Sequence, residues 1–99
     1  MSKYRKKPVV VEAFQMTCER YLDNSEWPVW LHDAVAKPID GGCVWFNLGD
    51  QNSLMVGTLE GPMIANPGDW IIKGVKGELY PIKDEIFTLT YEPANPERT

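Results

Sequence analysis

The chain has 99 residues, 43% of them hydrophobic and 11% aromatic, which fits one domain with its own core and is too apolar for a disordered chain. The net charge of −4 is uneven: Lys3, Arg5, Lys6 and Lys7 make the start basic, while residues 8–99 hold six basic and fourteen acidic side chains. An acidic body repels a phosphate backbone, which argues against sequence-independent binding of a nucleic-acid polymer.

The basic start reads either as a nucleic-acid arm or as a solvated flank that keeps an edge strand from pairing, and four charges favour the flank. No secretory signal is expected, because the apolar run after the basic residues is only Val9–Val11. No stretch approaches the roughly 18 apolar residues of a membrane span. A cytoplasmic location follows, and with it two unlinked thiols, Cys18 and Cys43. Two cysteines and one histidine, His32, make no zinc motif, so no metal or other cofactor is expected.

In chain order, residues Arg5–Met16 read as a first strand, with Val10, Phe14 and Met16 on one face. Thr17–Ser25 is polar and irregular, with a helical turn at Glu19–Leu22. A helix follows, capped by Asn24 or Ser25 with Pro28 in its first turn, and Lys37 and Pro38 mark its end. Trp27, Trp30, Leu31 and Ala34 fall at i, i+3, i+4 and i+7, one apolar stripe that places both tryptophans in the core. So short a helix is not stable alone, and a sheet must receive it.

Cys43–Leu48 and Leu54–Leu59 read as a hairpin around the turn Gly49–Asn52, and Met63–Ala65 as a short piece between turns. Trp70–Gly74 and Glu78–Ile82 form a second hairpin through Val75-Lys76-Gly77, with Pro81 marking an edge. Asp84-Glu85 can cap one helical turn ending at Phe87, and Thr88–Glu92 reads as a last strand. The expected fold is α+β: five to six short antiparallel strands in a strongly bent sheet or small barrel, with one amphipathic helix packed on it. Residues 1–92 form the domain, and residues 93–99 are expected to be a disordered tail.

No catalytic constellation emerges. His32 sits beside Asp33 on the polar side of the helix, no signature surrounds either cysteine, and the carboxylates are scattered. The second hairpin offers more. Trp70, Lys73, Gly74, Lys76 and Tyr80 lie on it together, and a ring can stack on a planar ligand while a lysine meets a phosphate. The other reading makes Trp70 and Tyr80 core, the lysines solvated and the glycines turn formers.

Several stretches carry a resemblance: Tyr4–Ala13, the Trp-rich start of the helix, Thr58-Leu59-Glu60-Gly61, Pro67–Pro81, Ile86-Phe87 and Thr90-Tyr91-Glu92. They resemble a family of short, mostly uncharacterised phage and prophage proteins, over most of the chain and most specifically in its last 35 residues. Ile82 stands where that family is expected to have cysteine, and Asp84-Glu85 where it is expected to have Pro-Asp. Both departures count against a redox or metal role there. The resemblance implies origin and fold more than activity; with no catalytic constellation the expectation is a non-catalytic phage accessory binding protein in the host cytoplasm, and a homo-oligomer, since 99 residues enclose little volume alone. Its partner is then a nucleotide-type signal that it sequesters in counter-defence, with a host protein or a virion contact as the alternative.

Overall fold

The computed structural model describes residues 2–4, 9–35, 42–47 and 53–93. The expected helix stop at Lys37-Pro38, the turn Gly49–Asn52 and the tail from residue 94 onward lie outside the described residues.

Strand β1 (Glu12–Gln15) leads into helix α1 (Cys18–Leu22), a 3-10 turn (Asn24–Glu26) and helix α2 (Val29–Val35). Strands β2 (Val44–Phe46), β3 (Leu54–Thr58) and β4 (Gly61–Ala65) follow, then β5 (Trp70–Lys73), β6 (Leu79–Ile82) and helix α3 (Asp84–Thr90). All pairing is antiparallel and falls into two three-stranded sheets, sheet A in the order β1-β5-β6 and sheet B in the order β2-β3-β4. The α+β class therefore holds, as two sheets bent around a common core. They do not close into a barrel. Sheet B ends at β4 and sheet A at β6, and Pro62 and Pro81 on these edge strands lack the N–H that a joining ladder would use.

Local chemistry explains the boundaries. The Thr17 side chain accepts from the Arg20 N–H at 3.1 Å and caps α1, and the Asp23 carboxylate accepts from the Ser25 N–H at 3.0 Å. The expected single helix is split, because a residue before proline is driven to extended backbone; Trp27 has φ −64° and ψ 136°, and α2 starts only after Pro28. Of the expected first strand, Arg5–Pro8 lie outside the described residues, and within the rest only Glu12–Gln15 is strand: Glu12 pairs with Lys73 at the end of β5, Gly74 then turns the chain away, and Val9–Val11 pair with no strand among the described residues.

The expected last strand is overturned. Residues Asp84–Thr90 form one helix, in which the Phe87 N–H donates to the Lys83 carbonyl and the Tyr91 N–H to the Phe87 carbonyl, both at 2.8 Å. Leu89, which the strand reading puts on one face with Tyr91, is 88% exposed. Helical spacing lets Asp84, Phe87 and Tyr91 face sheet A together, an anchoring that outweighs the strand preference of Thr88-Leu89-Thr90-Tyr91.

One core joins the layers: Met16, Trp27, Leu31 and Ala34 from the helical side, Val44, Leu54, Val56 and Ala65 from sheet B, and Ile71 and Leu79 from sheet A. Burial of each large side chain contributes about 1.5–3 kcal/mol. Trp27 and Leu31 thus take the core place expected of the stripe, and Trp30 packs partly buried beside them. The Trp27 indole N–H donates to the Arg20 carbonyl at 2.8 Å, so its one polar atom is satisfied.

Candidate functional site

The β5–β6 ribbon has two faces. Register pairs Trp70 with Ile82 and Ile72 with Tyr80 on one, and Ile71 with Pro81 and Lys73 with Leu79 on the other. Ile71 and Leu79 belong to the core, so the Trp70–Tyr80 face is the outer one, and α3 lies over it. The Trp70 and Phe87 rings stack at 3.9 Å between centroids and 7° between planes. The Trp70 indole N–H donates to Asp84 Oδ1 at 2.8 Å, and Tyr91 stacks on the far side of Phe87 at 5.2 Å. The Tyr80 and Tyr91 hydroxyls meet at 3.4 Å. Burial, the Tyr91 hydroxyl and the nearby Glu78 charge push the Tyr80 phenol up to about 12.

Structure thus brings Trp70 and Tyr80 to one face and separates them from the lysines. Lys73 lies three residues from Trp70, an odd spacing in a strand, and so on the core-side face next to Leu79. Lys76 is exposed in the turn, where its N–H donates to Glu78 Oε1 at 3.0 Å. Gly77 has φ +84° and makes the turn, as expected of it. The same Glu78 carboxylate lies where a side chain on Gly74 would stand, so the close approach that Gly74 permits is taken up by an anion within the chain. The five hairpin residues therefore do not share one hollow, and the indole has one face and its only donor already engaged.

Two surfaces escaped sequence reasoning. The first is the outward face of sheet B. Phe46 touches Tyr21 and Trp27 on the core side, and its register partners Leu54 and Ala65 are buried. The alternate row, Trp45–Met55–Ile64, therefore faces away from the core, with Gly57 and Pro62 beside it. None of the residues in β2, β3 and β4 is charged. A sheet face turned to water ordinarily carries polar side chains; here Ile64 is 47% exposed and Trp45 and Met55 are half-buried. Its signal was present in the sequence as two strands with no polar alternation.

The second is an open groove of about 370 Å³ between the tip of the β3–β4 hairpin and β6. Leu59, Met63, Leu79 and Pro81 give it apolar walls, and Glu60 and Glu78 line it too, the Glu78 carboxylate being turned toward Gly74 and the Lys76 N–H. Leu59 is 85% exposed in the two-residue turn between β3 and β4, a position that turn-forming residues ordinarily hold. A polar cleft of about 350 Å³ beside α1 is, by contrast, internally committed. Arg20 lines it with its donors engaged, on the Gln15 carbonyl at 2.7 Å and on Glu26 at 3.2 Å, while lying 4.8 Å from the Phe14 ring centroid.

Among the described residues no three His, Cys, Asp or Glu side chains are grouped to hold a metal ion, and no helix is long and apolar enough to cross a membrane. His32 is exposed, with its ring 5.5 Å from Trp27; Cys18 is exposed and Cys43 buried. Comparison with protein-family models, with curated proteins and with solved structures finds no match to any of them.

Proposed function

We propose that this is a non-catalytic binding protein of the phage accessory type, acting in the host cytoplasm through contact with another protein. The observation that carries this reading is the uncharged outward face of sheet B, Trp45–Met55–Ile64 with Pro62 beside it. Apolar faces left toward solvent are characteristic of interaction sites, and aromatic and methionine side chains are enriched in the centres of interfaces. The chain's net charge of −4 favours a partner with an apolar centre and a basic rim.

Sequestration of a nucleotide-type signal is the second reading. In its favour, Trp70 and Tyr80 share a face of sheet A. Against it, Phe87 and Tyr91 roof that face, Lys73 lies on the other one, and the apolar groove nearby is lined with carboxylates that repel phosphate.

The test is capture from host lysate by the wild-type chain and by Ile64→Lys, with the fold of the variant verified by circular dichroism. A stoichiometric protein held by the wild type and reduced about tenfold or more by the variant is expected, since a charge buried at an apolar contact is costly. A partner retained equally by both, or none retained by either, overturns the reading. Heat on titration with cyclic dinucleotides or ADP-ribose-type compounds would restore the small-ligand reading.

A further inference from the structure

Helix α3 is held to the molecule by few attachments. None of its seven residues is buried, and Lys83, which precedes it, gives it no side-chain cap. Ile86 is half exposed and Leu89 faces water, so neither holds the helix down. Four of the seven, Ile86, Phe87, Thr88 and Thr90, are β-branched or aromatic and prefer extended backbone. A helix this short is not stable alone, so α3 exists only while Asp84, Phe87 and the following Tyr91 grip sheet A. Docking and folding of α3 are therefore one step, and the segment can open without the rest of the fold.

The sheet beneath it is preformed. Trp70 stands on the central strand of sheet A, between Gln15 on β1 and Ile82 on β6. Its indole N–H at 2.8 Å and, more loosely, the Gln15 amide at 3.4 Å converge on one oxygen of Asp84. Gln15 is also tied to the Gly68 carbonyl at 3.1 Å, so its amide keeps its place when Asp84 leaves. Ile72, wholly buried yet outside the main core cluster, continues the same face with Tyr80. An indole plane with two N–H donors aimed at one point beside it suits an aromatic ring and a carboxylate together. Phe87 and Asp84, three residues apart on α3, supply that pair.

We propose that α3 is a resident lid, and that the face of sheet A under it docks a helical segment of another protein with the same pattern, a carboxylate three residues before an aromatic ring. The contact of Asp84 and Phe87 with Trp70 is then autoinhibitory. The open form is a minor population, roughly 0.1–10% of molecules, and the apparent affinity for the incoming segment falls in proportion to that fraction. Weakening the grip of α3 therefore strengthens docking, the opposite of what loss of an ordinary contact does. This surface is separate from the outward row of sheet B, and its role is independent of that row.

The experiment is titration of the full chain and of Phe87→Ala with a capped peptide of the sequence Asp84–Tyr91. Binding is followed at the Trp70 indole N–H resonance, assigned with Trp70→Phe, and the fold of each variant is checked by circular dichroism. Phe87→Ala should bind the peptide about tenfold or more tightly than the wild type, and a peptide with alanine in place of its phenylalanine should not bind. Hydrogen exchange of the wild type gives a measurement that needs no variant. The amides of Phe87 and Tyr91 should exchange by an opening that leaves those of Ile71 and Ile72 protected. A peptide held no more tightly by Phe87→Ala, a peptide that binds equally without its phenylalanine, or α3 amides that exchange only with the whole sheet overturns the proposal.

Discussion

Tyr80 ties the two halves of the sheet A roof together. Its hydroxyl lies 3.4 Å from that of Tyr91, which follows α3, while its strand pairs with β5. The raised value of about 12, against 10.0 for an ordinary phenol, means that the fold favours the neutral form. A group whose folded value is raised contributes its stability below the unfolded value and loses it as pH climbs through the folded one. The stabilisation is therefore complete below pH 10 and fades between pH 10 and about 12. Tyrosinate absorbance should show one late-titrating tyrosine, and Tyr91→Phe should lower its value in part, burial keeping it above the ordinary range. A late titration untouched by that variant would leave burial and the Glu78 charge as the causes. The parity of Trp70 and Lys73 also belongs at this level. Three residues apart in a strand means opposite faces, so their separation was legible from spacing alone. Phe87 as the indole's stacking partner was not, because nothing local links residues 17 positions apart.

Among the elements, α3 shows most clearly how anchoring overrides propensity. Phe87→Ala removes the ring that covers Trp70 and leaves the helix without its central contact, and it should cost about 2–4 kcal/mol by denaturant unfolding. Leu89→Glu, two residues on, should change stability by less than about 0.5 kcal/mol, because Leu89 faces water. Equal losses for the two would return the segment to a strand with Leu89 inside. Strands β3, β5 and β6 were legible closely, β3 and β5 because a run of branched or aromatic residues is bounded by turn chemistry at each end, whereas β4 was read only as a short piece between turns. Gly61 and Gly68, with φ of +110° and +95°, supply the backbone reversals that bracket β4. The first strand was read too long because a strand's extent depends on its neighbour, and β5 stops at Lys73. The lack of polar alternation in sheet B was visible in the sequence, but which residues form the outward row was fixed only by the register of β2–β4.

For the molecule as a whole, sheet A, sheet B and α2 all contribute to one core cluster, so none of them has an interior of its own. Unfolding in urea should follow one transition, with tryptophan fluorescence and far-ultraviolet circular dichroism coinciding, since Trp27 and Trp70 report from different layers. Two separated transitions would mean that the sheets fold independently. The strand orders also impose a sequence of events on synthesis. The two hairpins of sheet B join neighbours in the chain and can form as soon as they emerge from the ribosome. Strand β1, made first, must wait for β5, whose Trp70 pairs with Gln15. Until then Ala13 and Phe14 remain on an unpaired strand, and the basic residues ahead of it in the sequence supply charge that keeps nascent chains apart.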